Sequence, residues 1–379
     1  MTVLRGAKVL QNGAFTDAVV RIEAGLIAEV GELPAEADEH DLGGGYLVPG
    51  FIDIQVNGGG GRLFNDDPTV ETIAAIAAAH RRFGTCALLP TLISDDLGKV
   101  AAATRAVDEA IAQGVPAIVG IHLEGPVLNG DKAGIHDPRH FVRLDQESID
   151  LFASLRNGRT LVTLAPEQVE PADIEALVAR GVRVSLGHSL ATYEQARAAE
   201  AAGLSGYTHL FNAMPGIHHR APGPVVAALE GEAWCGLIAD RHHADYAVLR
   251  LALRAKRDGR FCLVTDAMPG VGSEADHFYL GERRIQIEDG ACRADDGTLA
   301  GSHLSMIEAV RNAHRQLDLE LAEAIRLASA EPAAFLGLEE ELGSIRPGAR
   351  ANLVHLAPDL TVRRTWIDGK GGQPADAVP

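Results

Sequence analysis

Residues Ile118 to His136 read IVGIHLEGPVLNGDKAGIH, an apolar run that ends in a carboxylate and opens into a glycine-rich loop. The run Ile118, Val119, Ile121 has the texture of a buried strand, in which His122 and Glu124 point to the same side, so the charge falls where the strand stops. A glutamate buried there needs a cation, and a neighbouring arginine or a backbone donor would satisfy it if it stood alone. Seven further runs of similar texture accompany it: FIDIQVN from Phe51, ALLPTL from Ala87, TLVTLAP from Thr160, RVSLGH from Arg183, YTHLFN from Tyr207, CGLIAD from Cys235 and FCLVTD from Phe261. Alanine-rich helical patterns separate most of them, over Val70 to Phe83, Leu97 to Gln113, Ile174 to Arg180, Tyr193 to Ala202 and Tyr246 to Lys256. Eight apolar strands joined by crossover helices are the count of a (β/α)8 TIM-like barrel with parallel strands covered on both faces.

The flanks have a different texture. Residues 1–48 alternate in short strand-like pieces (Ala7 to Gln11, Ala18 to Glu23, Leu26 to Val30) with turns at Asn12-Gly13 and Ala24-Gly25. The tail returns to strands at Asn352 to Leu356 and Val362 to Asp368. The expected organisation is a small β-sandwich domain formed by both termini (1–48 and 342–379), interrupted by the barrel (49–341). After the eighth run, Phe278 to Arg293 reads as an inserted hairpin, Ser305-x-x-Glu308 as a capping box opening a helix through Gln316, and Leu321 to Ala328 as a second helix. Gly369 to Pro379 reads as a loose end.

The 379 residues include 34 Lys and Arg against 52 Asp and Glu, a net charge of −18, which argues against nucleic acid or an anionic membrane as partner. A small anionic substrate remains compatible if a few basic groups gather in one pocket. The start lacks the basic segment and apolar core of a secretory signal and no run is long enough to span a bilayer, so a cytoplasmic location is expected. Cys86, Cys235, Cys262 and Cys292 show no CxxC spacing and read as reduced, mostly buried thiols.

In such a barrel the strands' C-terminal ends form the active face, and they carry Gln55 and Asn57, Glu124, His188, His209, Asp240 and Asp266. Each alone reads as a hydrogen-bonded rim residue. So many ionisable groups on one rim would repel or desolvate one another without a cation or a reaction to serve. One Glu and two His match a catalytic metal site with a position left for water, and an aspartate across the barrel can then act as base and acid, which outlines amide or ester hydrolysis.

The segments PGFIDIQVNG, HLEGPVLNGDKAGIH, LGHS, THLFNAMP, LVTDAMPGVG and LAGS resemble the N-acetylglucosamine-6-phosphate deacetylase family of the amidohydrolase superfamily, and GSIRPGARANLVHL resembles that superfamily's return strand. The resemblance implies an amidohydrolase-type barrel in which Glu124, His188 and His209 hold one divalent metal ion per subunit, zinc foremost, with iron, manganese or cobalt as alternatives. Asp266 would be the base that later protonates the departing amine, and His136 would stabilise the oxyanion. Arg220 and His243 would take the substrate phosphate with the backbone at Asn212 and Ala213, and Gly125 would line the substrate. Leu299, Ala300 and Gly301 would close over the acetyl methyl group. Many superfamily members carry HxH where this chain has Gln55 and Asn57, and neutral amides compete poorly for a transition metal. These two would therefore position water or close a second metal site, and His122 would support Glu124.

The implied reaction is hydrolysis of N-acetylglucosamine 6-phosphate to glucosamine 6-phosphate and acetate in a homodimer, with Arg220 reaching across the interface. Two departures bear on the substrate: Arg241 stands where the family has Gly, leaving His242 and His243 both eligible for the pocket, and His218-His219 add bulk beside Arg220. The rival readings are an amidohydrolase for another amide, such as an N-acyl amino acid or a cyclic amide, and a non-catalytic scaffold on the same fold.

Overall fold

The computed structural model describes residues 1–34 and 39–372. Its centre is one eight-stranded parallel sheet in strict chain order: β1 (Phe51–Val56), β2 (Thr85–Ile93), β3 (Gly120–Glu124), β4 (Arg159–Leu164), β5 (Arg183–Leu186), β6 (Gly206–Tyr207), β7 (Trp234–Leu237) and β8 (Phe261–Leu263). All eight coincide with the runs read from the sequence. Nearly every residue in them is buried, as continuous apolar strands covered on both faces require.

The expected helices form, beginning at side-chain caps: Thr69 caps Val70–Arg81, Asp96 caps Leu97–Ala112, and Ser305 with Glu308 makes the box opening Met306–Gln316. Helix Ile174 to Arg180 starts earlier, at Pro171, whose ring is preset for a first turn. Three short helices went unread, Gln146–Phe152, Gly223–Glu230 and Ala330–Leu336. Each spans about two turns, too few for a helical period to show.

The barrel closes where the segment after β8 meets β1. The Asp266 amide donates to the Gln55 carbonyl (3.0 Å) and the Asn57 amide to the Ala267 carbonyl (2.9 Å). Between them Asp53, wholly buried, accepts from the Thr265 hydroxyl (2.6 Å) and from the amides of Gln55 (3.2 Å) and Thr265 (3.3 Å).

Two further sheets follow, the first built from both ends of the chain and the second from the N-terminal segment alone. One pairs Leu353–Leu356 antiparallel with Tyr46–Pro49 and continues to Lys8–Gln11 and Ala14–Asp17 on one side and Val362–Ile367 and Lys370–Gly371 on the other. The other holds Leu26–Gly31, Val19–Glu23, Thr2–Arg5 and Glu39–Asp41. Leu4, Val20, Ile27, Leu47, Leu353 and Trp366 fill the space between. Asn12-Gly13 and Ala24-Gly25 have the paired positive φ of tight hairpin turns (48° and 77°, 50° and 86°). Of the end read as loose, Gly369 to Gly372 continues the sheet and 373–379 lie outside the described residues.

The hairpin expected at Phe278 to Arg293 is larger, a four-stranded antiparallel sheet of His277–Leu280, Arg283–Glu288, Ala291–Ala294 and Leu299–Ser302. Its last strand, LAGS, lacks the β-branched alternation that marks a strand in sequence. The four cysteines are free and buried.

Burial raises the Asp53 carboxyl from 3.8 to about 7, against the lowering pull of Thr265 and the backbone donors. The native state thus favours the protonated acid, and ionising it as pH rises from about 4 to about 7 costs stability, on the order of 4 kcal/mol. Asp53→Asn keeps the shape without the charge. Urea unfolding should show the variant gaining on the parent protein between pH 4.5 and pH 8, with the gap levelling off above pH 8.

Candidate metal centre and cleft

Glu124 ends β3, while His188, His209 and Asp266 follow β5, β6 and β8 by two or three residues. These last three have left-handed backbones, with φ of 48°, 33° and 52°, which turn each side chain off the strand line into the barrel mouth. Such conformations cost of order 1–3 kcal/mol each, so the surrounding structure must hold them.

The outcome is a tight cluster. Glu124 Oε1 lies 3.2 Å from His188 Nε2 and 3.0 Å from His209 Nε2, and the two Nε2 atoms are 3.2 Å apart, all in buried side chains. His188 Nδ1 donates to the Lys132 carbonyl (2.8 Å), which leaves a lone pair on Nε2 of the neutral ring. His209 Nδ1 is buried without a partner among the described residues. With His188 Nε2 an acceptor, this carboxylate oxygen and these imidazole nitrogens repel one another unless a proton or a metal cation is shared among them. Burial alone would raise the Glu124 carboxyl, but the adjoining His188 and His209 imidazoles outweigh it and hold the group well below its ordinary value. Burial likewise lowers His209, and the Glu124 carboxylate reverses this, leaving the ring raised. The three residues are a donor set of the type that takes a divalent transition metal.

Gln55 and Asn57 turn amide nitrogens toward this cluster. Gln55 Nε2 donates to Glu124 Oε1 (3.2 Å) and Asn57 Nδ2 to Asp266 Oδ1 (2.6 Å), so both act as hydrogen-bond donors at the place where a second metal would need ligands. Asp266 is buried; desolvation and the Glu124 charge raise its carboxyl to about 6. His136 stands beside His188, ring centroids 4.4 Å apart, with Nε2 3.8 Å from Glu124 Oε2. Its Nδ1 lies 2.9 Å from the Ser94 hydroxyl and accepts from the Ser94 amide (3.3 Å); with Nδ1 an acceptor, the neutral ring carries its proton on Nε2. Burial, then the neighbouring His188, lowers it to about 3, and it remains a neutral donor throughout the working range.

Not every expected residue touches the cleft. His122 bonds Thr163 (2.8 Å) and Thr91 (3.3 Å) inside the barrel and makes no hydrogen bond to Glu124. Gly125 does not line the cleft; with φ of 90°, a Cβ there would fall 2.1 Å from Ser94 Oγ, so the glycine lets two loops approach. Ala300 is buried in the apolar cluster beneath the insert, while its neighbours Leu299 and Gly301 face the cleft.

The cleft encloses about 330 Å³. On the β6 and β7 side it is walled by Asn212, Ala213 and His243. Asp240 fixes this wall, accepting from His243 Nδ1 (2.6 Å) and from the amides of His242 and His243 (2.8 and 2.9 Å). His242 instead turns away to the Asp289 carbonyl (3.0 Å), so His243 is the pocket histidine. Arg241 adopts φ of 71°, which accounts for glycine at that position in the family: the turn is left-handed. Arg220 and the adjacent His218 and His219 are exposed and lie outside their own chain's cleft. Sequence reasoning missed Ile93, Asp131, Lys132, Gly134, Ile135, Met268 and Thr298 on the wall. Asp131 to Ile135 lay within the quoted loop after Glu124; Ile93 ends β2, and Met268 and Thr298 lie outside strands, with no chemical signature of their own.

Elemental analysis after exhaustive dialysis should give one divalent metal per chain. Replacing both amides, Gln55→His with Asn57→His, should raise the count toward two by restoring imidazoles beside the cluster.

The chain matches the Amidohydrolase family over residues 46–371. It is 42% identical over 377 residues to the N-acetylgalactosamine-6-phosphate deacetylase of Shewanella sp. (strain ANA-3), covering 98% of this chain and 95% of that protein. It is 34% identical over 371 residues to the N-acetylglucosamine-6-phosphate deacetylase of Haemophilus influenzae, covering 97% and 95%. The crystal structure of N-acetylglucosamine-6-phosphate deacetylase from Pasteurella multocida superposes with a TM-score of 0.95 at 33% identity, covering 98% and 99% of the two chains. Barrel, cluster and full-length similarity agree, and the chain belongs to the amidohydrolase family, among its N-acetylhexosamine-6-phosphate deacetylases.

Proposed function

We propose that this protein hydrolyses the acetamido group of an N-acetylhexosamine 6-phosphate, N-acetylglucosamine 6-phosphate foremost, to the free amine and acetate in amino sugar metabolism. The observation that carries the reading is the buried Glu124, His188 and His209 cluster facing Asp266 across a cleft walled by His136 and His243. A second reading, the galacto epimer, is favoured by the name of the 42% identical relative. A scaffold would need none of these four side chains.

Glu124, His188 and His209 would hold one divalent ion, zinc in the first place, which when bound supplies Lewis acidity to the amide carbonyl and to the attacking water. Asp266 accepts the proton of that water as its oxygen bonds to the carbonyl carbon. His136, neutral and carrying its proton on Nε2, donates to the oxygen that gains charge. Asp266 then gives its proton to the amine nitrogen as the C–N bond breaks, releasing acetate. Asn57 orients the Asp266 carboxylate through its 2.6 Å hydrogen bond.

His243, locked by Asp240, is the phosphate-side group of the same chain, with the Asn212 and Ala213 backbone beside it. We assign Arg220 to the phosphate of a neighbouring subunit in a homodimer: it is exposed, outside its own cleft, and among the described residues its guanidinium meets no carboxylate. We take residues 49–341 as the catalytic barrel and 1–48 with 342–379 as the β domain that braces it. Among the described residues no helix is long and apolar enough to cross a membrane, and we place the enzyme in the cytoplasm.

Asp266→Asn should retain metal and substrate binding yet lose about a thousandfold in kcat, read by acetate release. Because Asp266 must be ionised to accept a proton, kcat/KM should fall tenfold per pH unit below its titration. That limb should lie at or below pH 6, since a bound cation offsets the Glu124 charge that helps raise the carboxyl. Both N-acetylhexosamine 6-phosphates should be compared with their unphosphorylated sugars. Loss of the phosphate should cost far more than inversion at C4, and indifference to the phosphate would favour an amidohydrolase of another amide. Mixing Arg220→Ala chains with Asp266→Asn chains should restore part of the activity through shared sites; no rescue would count against the shared pocket.

A further inference from the structure

The end of the cleft remote from His243 carries an apolar patch. β6 and β7, which precede Asn212, Ala213 and His243, are diametrically opposite β2 and β3 in a closed barrel of eight strands. The wall there comes from Ile93, at the end of β2, and Ile135, in the loop after β3, joined by Met268 and Leu299. Ile93 and Met268 belong to the apolar cluster under the insert, and Ile135 packs against it. A substrate whose phosphate lies at the β6 and β7 side, and whose amide lies between Asp266 and the Glu124 cluster, must direct its acyl group at this wall.

Behind the wall is a second cavity of about 710 Å³, and Ile93, Ile135 and His136 line both spaces. Its remaining surface is largely charged, with Asp66, Asp95, Lys99, Arg139 and Arg283 among its residues. Ile93 and Ile135, with His136 beside them, therefore separate the apolar part of the cleft from a largely polar chamber twice its size.

We propose that Ile93 and Ile135 form a partition that limits the substrate's acyl group to acetyl, and that Ile135 is the residue whose size sets this limit. The inference rests on the deacetylase reading for the direction of the substrate. Its physical basis is that a methylene which no longer fits a closed apolar pocket loses about ten- to 200-fold in kcat/KM. An opened partition lets the extra carbons pass into the second cavity, so that loss disappears.

The test measures amine release from N-formyl, N-acetyl, N-propionyl and N-butyryl glucosamine 6-phosphate by the metal-loaded enzyme and three variants. The parent enzyme should lose about tenfold or more for each carbon beyond acetyl. Ile135→Ala should raise the butyryl-to-acetyl ratio of kcat/KM at least tenfold, and the milder Ile135→Val should raise it in the same direction. Ile285→Ala, in the same apolar cluster without a face on the cleft, should leave the ratio within twofold. An unchanged ratio in both Ile135 variants, or an equal shift in Ile285→Ala, overturns the partition while the deacetylase reading stands. A parent enzyme that releases no amine from the N-acetyl substrate removes both.

Discussion

Three electron-rich atoms crowd together at the mouth of the barrel, Glu124 Oε1 and the Nε2 atoms of His188 and His209, each within about 3 Å of the others and away from water. The His188 tautomer, set by the Lys132 carbonyl, removes the simplest escape, in which that ring would donate to the carboxylate. One mobile proton can relieve the repulsion, and a divalent ion relieves it far better, because it attracts all three at once. The arrangement of neighbouring groups follows from this demand. Gln55 and Asn57 contribute only donors, His136 stays neutral, and Asp266 is kept one hydrogen bond away on the Asn57 amide.

The four groups that would do chemistry arrive on β3, β5, β6 and the segment after β8, so barrel closure determines their spacing. Inside the barrel a chain of polar side chains links these strands: His122 to Thr163 (2.8 Å), Thr163 to Thr208 (2.6 Å), and Thr208 to Ser185 (2.8 Å). Thr208 directly precedes His209, and the Thr163 carbonyl accepts the Gly125 amide (3.0 Å) directly after Glu124. His122 thus acts on the cluster through the strands that carry it. Burial lowers its ring to about 4, so the linkage is uncharged and survives without a counter-ion. Asp53 and Thr265 make the corresponding link across the seam between β1 and β8, next to Gln55 and Asp266.

The fold was legible because parallel strands buried on both faces leave unbroken apolar runs, and most of those runs ended in a polar residue of the barrel rim. The hairpin turns at Asn12-Gly13 and Ala24-Gly25 and the Ser305 and Glu308 box were legible through local chemistry, which needs no tertiary knowledge. The insert's fourth strand was not, since LAGS pairs because Ala291–Ala294 offers it an edge. Contact with the cleft was legible for polar residues with a recognisable role and poorly legible for the rest. Gly125 and Ala300 belong to motifs for reasons of close packing, whereas Ile93, the last residue of β2, and Met268, in the loop after β8, are apolar wall residues without a chemical signature. The choice between His242 and His243 required seeing which imidazole Asp240 holds.

A chain with net charge −18 appears ill suited to a phosphorylated sugar. Distance resolves the difficulty. Exposed charges beyond roughly 8 Å are screened at physiological ionic strength, so the overall balance governs solubility and approach more than occupancy of the cleft. Many surface arginines are already matched to carboxylates, as in Arg156 with Asp108, Arg180 with Asp150 and Arg139 with Asp137, and offer little to a ligand. In the cleft Lys132 stands among Glu124, Asp131 and Asp266, while Asp240 holds the His243 ring through its Nδ1 proton and leaves Nε2 uncommitted. Asp240 is itself held below its ordinary value, burial notwithstanding, by the His243 hydrogen bond. Within a small cleft charges act at contact distance and through little water, so a bound phosphate answers to the few groups it touches and not to the carboxylates dispersed over the surface.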